Sequence, residues 1–200
     1  MIAQSGGPVA LPNWLLCCRP APARLYSGPM SIVRLDAAQA AQAVPELAGL
    51  LQNAVHAGAA LGFLPPVTDA AAHAYWHSVA AAVTDGSRLL WVARVGETLA
   101  GTVQLDLALR PNGLHRAEVM KVMVHAAHRR RGLGRALLLA VEAEARRIGR
   151  TTLVLDTRQG DAAEALYAGL GWVRAGVIPD FARSADGSLH ATVIYYRLLA

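Results

Sequence analysis

The stretch VMVHAAHRRRGLGRALLLAVEAEAR, residues 122–146, constrains the fold more than any other part of the chain. An apolar run that ends at about His125 reads as a strand. A leucine-rich amphipathic run over about residues 133–148 reads as a helix. The short basic connection between them carries Gly132 and Gly134, together with Arg129, Arg130, Arg131 and Arg135. Four arginines this close suit either a nucleic-acid patch or the anion-binding start of a helix. A helix N-terminus exposes unpaired N–H groups and a partial positive charge, and glycines let a bulky anion approach the backbone. The R-x-x-G-x-G spacing matches neither the Walker A loop nor the Rossmann fingerprint.

The neighbouring elements extend the pattern. SIVRL reads as an edge strand, and Asp36 caps a helical stretch that is interrupted at Pro45 and continues through ELAGLLQNAVHAGAAL. PPVTDAAAHAYWHSVAAAV is a second helix, capped by Thr68 or Asp69. RLLWVARV and TLAGTVQLDLAL form a hairpin around a Gly96–Glu97 turn, with Val103, Leu105, Leu107 and Leu109 on one face. AEVMKVMV, TTLVLDT, WVRAGVI and HATVIYYRLL supply further strands, and a helix spans about residues 161–169. This order, without an internal repeat, implies one mixed sheet with helices on both faces.

Composition narrows the classes. Hydrophobic residues make up 54% of the 200 and charged residues 16%, so the chain is globular. No run reaches the roughly 18 to 20 apolar residues of a membrane span, and a soluble protein with no membrane partner is expected. The formal charge of +5 falls to +3 without Arg19 and Arg24, a weak case for nucleic acid. Interleaved aromatics, a recognition-helix motif and zinc-ligand spacing are all missing from the sequence, so neither nucleic acid nor metal is expected as a partner. Both cysteines, Cys17 and Cys18, lie in the first thirty residues, which leaves no later thiol nucleophile and points to a reducing, cytoplasmic setting. Residues 1–29 are proline-rich and free of acidic side chains, and read as a disordered extension ahead of a domain over 30–200.

Here the residues reach a family. VMVHAAHRRRGLGRALLLAVEAEAR resembles the pyrophosphate-binding motif of the GCN5-related N-acetyltransferases (the GNAT family), with Arg129, Gly132 and Gly134 on its Q/R-x-x-G-x-G/A positions. GDAAEALYAGLGW resembles the second signature, a helix ending in Leu-Tyr followed by a Gly-aromatic step into a strand. Together the two motifs cover residues 118–173. RPNGLHRAEVMKVMVH and LVLDTRQGDAAEALYAGLGW are similar to the tabtoxin-resistance type of acetyltransferase. The resemblance implies an α/β fold: one GNAT-like domain with a mixed, mostly antiparallel sheet of roughly six or seven strands and helices on both faces. It also implies acetyl-CoA as cofactor and a homodimer, for which the closing strand TVIYYRLL is the expected contact.

The same resemblance implies the cofactor contacts. Backbone groups of Val122, Met123 and Val124 would polarise the thioester carbonyl. Arg129 or Arg130 would assist the amides around Gly132, Leu133 and Gly134 on the pyrophosphate. Arg131 and Arg135 either reach the adenosine 3′-phosphate or face solvent. Gly160, where many members have asparagine, Ala163 and Tyr167 complete the set.

Three residues carry candidate chemistry. Glu118, acidic in an apolar strand, suits a general base and a substrate contact, and also suits an ion pair with Arg116 or Lys121; the resemblance favours the base. Asp156 ends an apolar strand where open sheets place ligand groups, and suits substrate contact as well as a helix cap or a partner for Arg158. Tyr167 matches the family tyrosine that protonates the coenzyme A sulfur; without the motif it reads as a core aromatic. His115, His125 and His128 read as solvated or capping, and Tyr75 and Trp76 as packing or lining the substrate mouth. The chain therefore reads as an acetyl-CoA-dependent N-acetyltransferase acting on a small amino-acid-like amine. Peptide N-terminal acetylation is the alternative, and nucleic-acid binding a weaker one.

Overall fold

The computed structural model describes residues 29–199. The expected disordered extension thus lies, apart from Pro29, outside the described residues. Seven strands and five α-helices follow one another: β1 (Met30–Leu35), α1 (Ala37–Gln42), α2 (Val44–His56), α3 (Asp69–Thr84), β2 (Arg88–Val95), β3 (Thr98–Leu107), β4 (Arg116–Val124), α4 (Leu133–Arg147), β5 (Thr152–Arg158), α5 (Ala163–Gly169), β6 (Val173–Arg183) and β7 (Leu189–Leu198). The strands form one sheet in the order β1-β2-β3-β4-β5-β7-β6. Only the β4–β5 pair is parallel. The sheet is mixed and mostly antiparallel, as expected.

Local chemistry sets most boundaries. Asp36 accepts from the Gln39 N–H while the Gln39 side chain accepts from the Asp36 N–H, a reciprocal cap on α1. Pro45 sits in the first turn of α2, where its missing N–H costs nothing. The expected continuation of α2 to Leu61 does not occur. Gly58 adopts φ +86°, and the Gly58 and Ala59 N–H groups turn back to the carbonyls of Val55 and Ala54. A left-handed glycine with such bonds ends a helix. Helix α3 begins at Asp69 as expected, with the Thr68 hydroxyl accepting from the Ala71 N–H.

Two apolar cores lie on opposite faces of the sheet. One packs α4 and the α5 region, through Leu137, Leu138, Val141, Tyr167 and Trp172, against Val103, Leu105, Leu153 and Tyr195. The other packs α1, α2 and α3, through Leu47, Leu51, Trp76 and Val79, against Leu90, Val92 and Leu99. Strand β3 is therefore covered on both sides, and the expected half-buried alternation fails there. Thr102 and Gln104 are fully buried, whereas Leu109 lies beyond the strand and is exposed. Their polar atoms are satisfied: the Thr102 hydroxyl donates to the Trp91 carbonyl, and Gln104 pairs with the Tyr75 hydroxyl. The closing strand β7 is flanked by β5 and β6, so it cannot pair across a dimer interface as expected. The free edge on that side of the sheet belongs to β6.

Candidate active site

The gap between β4 and β5 organises the site. Their pairing runs only from Arg116–Thr152 to Glu118–Val154, after which the strands diverge. A β-bulge on β4 accompanies the split. The register against β3 shifts between the Met120–Gln104 and Met123–Thr102 pairs, and Lys121 takes φ +51°. A non-glycine residue in this region is strained, and bulges of this kind re-aim side chains beside functional sites. The β5-facing edge of β4 from Val119 to Val124 is left without a strand partner. A cavity of about 680 Å³ opens there, within the range of small-molecule sites.

One end of the cavity holds the glycine loop. Arg130 adopts φ +61° and Gly132 φ +81°, so the chain turns sharply into α4. No side chain caps α4, and the first helical bond runs from the Ala136 N–H to the Gly132 carbonyl. The first-turn amides are thus open to an anion. Arg129 and Gly134 line the cavity, and the Arg129 Nε–H donates to the Val124 carbonyl. Arg130, Arg131, Gly132 and Arg135 are exposed and are not among the residues lining the cavity, and Leu133 is buried in the core. Across the gap lie Gly160, Ala163 and Tyr167. The Gly160 N–H is engaged by Glu164 Oε1 at 2.7 Å. Val122, Met123 and Val124 line the same wall.

The acidic candidates also meet in this cavity. Glu118 and Asp156 stand on the two diverging strands and both line it. Glu118 makes no ion pair with Arg116 or Lys121. Burial pushes its carboxyl above the ordinary range, and the charges of Asp156 and Asp106 add to the rise, opposed by Arg88 and Lys121. Asp156 caps no helix and, among the described residues, pairs with no arginine; it accepts from the Thr192 hydroxyl at 2.9 Å. Tyr167 is almost wholly buried, and that burial pushes its hydroxyl well above the usual tyrosine range, with Asp161 and Asp156 acting in the same sense. It therefore stays protonated at neutral pH.

His128 is buried, with its pKa lowered by desolvation, rather than solvated. His125 does cap, accepting from the Ala127 N–H. Trp76 is core, whereas Tyr75 reaches Gln104 from the edge of the α2–α3 layer. Sequence reasoning missed Lys121, Arg158, Asp106 and the loop over residues 57–62, which also lines the cavity. No sequence signal marks the bulge that turns Lys121 inward.

The acetyltransferase (GNAT) family model matches residues 49–172, across both glycine motifs. The chain belongs to the GNAT family. This GNAT is 34% identical over 116 residues to an uncharacterised N-acetyltransferase from the hisH-hisA intergenic region of Azospirillum brasilense, covering 57% of this chain and 67% of that one. It is 33% identical over 96 residues to N-acetyltransferase 8B of Rattus norvegicus, 47% of this chain and 43% of the relative. Among solved structures, an N-acetyltransferase from Staphylococcus aureus Mu50 superposes with a TM-score of 0.72 at 16% identity, covering 86% of this chain and all (100%) of that one. The yncA structure from Salmonella typhimurium, solved with acetyl-CoA, superposes with a TM-score of 0.66 at 23% identity, over 86% of this chain and 94% of that one.

As a GNAT, the protein is an acetyl-CoA-dependent N-acetyltransferase. Its residues fit that cofactor. The open amides of α4 suit a pyrophosphate, and the unpaired edge of β4 offers hydrogen bonds to an extended, amide-bearing chain. A Cβ on Gly134 would stand 3.1 Å from Leu166 Cδ2, so the residue's smallness keeps α4 and α5 close at the mouth of the slot. Among the described residues no helix is long and apolar enough to cross a membrane.

Proposed function

We propose that this GNAT acetylates the amine of a small amino-acid-like molecule by direct attack. The observation that carries the reading is a pair of carboxylates, Glu118 and Asp156, lining one cavity together with a protonated Tyr167. Acetyl-CoA, when bound, supplies the thioester whose acyl carbon is attacked. Glu118 takes the proton from the acceptor's ammonium, directly or through one water. Its raised pKa brings it closer to the acceptor's, which favours proton transfer at neutral pH. Asp156, held by Thr192, helps to draw the cationic amine into place. The backbone along Val122–Val124 polarises the carbonyl oxygen, and the α4 amides with Arg129 or Arg130 hold the pyrophosphate. As the nitrogen–carbon bond forms and the carbon–sulfur bond breaks, Tyr167 gives its proton to the departing sulfur. No covalent enzyme intermediate is needed.

Two further lines support a small acceptor: the volume of the cavity, and the likeness of RPNGLHRAEV and LVLDT to the tabtoxin-resistance type. A cytoplasmic setting and a homodimer belong to the same proposal, the dimer using the β6 edge, where Val177, Ile178 and Phe181 are exposed. The deciding experiment offers acetyl-CoA with free amino acids and with unblocked peptides, and weighs the products. Acetylated free amino acids support the reading, and acetylation of peptides alone would transfer it to the peptide N-terminal class.

A further inference from the structure

Each of the two diverging strands supplies a carboxylate and then, further along, a cation: Glu118 and Lys121 on β4, Asp156 and Arg158 on β5. All four line the cavity. Because the strands are parallel, both cations lie beyond both carboxylates along the common strand direction. By strand count Lys121 stands only one residue beyond Asp156, whose charge acts on it, and Arg158 one residue further.

The two cations are oddly placed for structural groups. Lys121, the only lysine in the chain, is turned inward at the bulge. Its Nζ donates to the Leu61 carbonyl at 2.7 Å and stands 6.0 Å from the Phe63 ring and 5.8 Å from the Tyr75 ring. Arg158 Nη2 donates to the Gly58 carbonyl at 3.5 Å. Neither has a carboxylate within ion-pair distance among the described residues, whereas Arg88, Arg94 and Arg197 each do. Their hydrogen bonds go to neutral carbonyls, with Asp156 and Glu118 acting on Lys121 only at longer range, so both cations have donors to spare for an anion. Both bind the same loop, which lines the cavity. A chain that simply needed to fasten this loop would not need two charges to do it.

We propose that Lys121 and Arg158 form a carboxylate clamp, so that the acceptor is a molecule bearing a free carboxylate beside its amine. The ammonium lies toward Glu118 and Asp156 and the carboxylate toward the clamp. This rests on the small-amine reading and sharpens it. A peptide N-terminus or a polyamine has no carboxylate next to the amine and leaves the two cations unpaired.

The test uses the full chain with acetyl-CoA and a panel: the common L-amino acids, the carboxamide and the decarboxylated amine of each, and unblocked peptides. Wild-type kcat/KM for the best amino acid should exceed that for its carboxamide by about 10- to 100-fold, the scale of one charge-assisted pair. Lys121→Gln and Arg158→Gln should each raise KM for the amino acid more than they lower kcat, and collapse its advantage over the carboxamide. Acetyl-CoA titration of the same variants reports that the fold and the cofactor end survive. Equal turnover of acids, carboxamides and peptides overturns the clamp while leaving amine acetylation intact. Equal loss on acids and carboxamides in the variants also overturns it. Absence of turnover with every amine would bring down both readings.

Discussion

Glu118 shows how a single position acquires its chemistry from neighbours that are distant in sequence. Asp106 faces it across the β3–β4 ladder, and Asp156 arrives from β5. With its pKa raised, the acid limb of the kcat/KM profile should lie above the ordinary carboxylate range. Glu118→Gln should remove that limb and lower kcat by about 10²- to 10⁴-fold at neutral pH, with acetyl-CoA affinity retained. The same shift has a stability consequence of opposite sign to that of a salt-bridged carboxylate. The folded chain binds this proton more tightly than the unfolded chain does. Its stabilising contribution is complete below the unfolded pKa and is lost as pH rises through the folded value. Thermal melts should therefore find the glutamine variant at least as stable as wild type at neutral pH, with less relative benefit in acid. Tyr167→Phe should lower turnover by a smaller factor than Glu118→Gln, because an alkylthiolate is a far better leaving group than the amine is a nucleophile without its base; single-turnover kinetics would measure it. The roles of Glu118 and Tyr167, and their place around one acceptor with Asp156, follow from motif resemblance, and all three line one cavity. Lys121 and Arg158 were opaque, because a cation on a strand reads as solvated until the backbone turn that buries it is known.

At the scale of elements, the strand–glycine loop–helix unit could be read from its neighbours alone, since apolar period, basic turn and leucine stripe all agree. The bulge on β4 could not. Just past it Gly101 of β3 pairs with Val124, and a Cβ there would come within 2.9 Å of the Met123 carbonyl oxygen and 3.3 Å of Leu137 Cδ1. Backbone cannot yield as a side-chain tip does, so Gly101→Ala should cost about 1–3 kcal/mol in a urea titration and weaken acetyl-CoA binding together with stability. The early end of α2 was equally hidden, because the alanine-rich AGAAL segment continues the helical period while Gly58 leaves it. The buried polar pair on β3 was missed for a related reason. A strand covered on both faces has no polar side, and which helices would cover it is a property of the whole sheet.

For the whole molecule, one buried charge ties α4 to the last strand and to the turn that enters β6. Glu142 on α4 is 2% exposed, accepts from the Trp172 indole N–H at 3.1 Å, and pairs with Arg197 of β7 at 2.9 Å. Glu142→Ala leaves a partly buried guanidinium and an indole donor without their partner. It should lower the free energy of unfolding by about 3–5 kcal/mol, measured in denaturant, far more than loss of the exposed Arg147–Glu144 pair. The sequence placed Glu142 on a helix and Arg197 on the last strand, but their pairing over that separation belongs to topology.

The short run of pairing between β4 and β5 has a consequence for the protein as a material. The sheet is two smaller sheets, β1 to β4 and β5-β7-β6, riveted by three rows of residues. A donor molecule threaded along the vacant edge would act as an extra strand, closing a seam that the polypeptide leaves open. Amide hydrogens on β4 from Val119 to Val124 that face this seam should exchange readily in the unliganded enzyme and slow sharply with coenzyme A, while those bonded to β3 should change little. At a hundredfold excess over its Kd the ligand would add about 2.7 kcal/mol to stability. In that sense the catalyst is finished only when its reagent is in place.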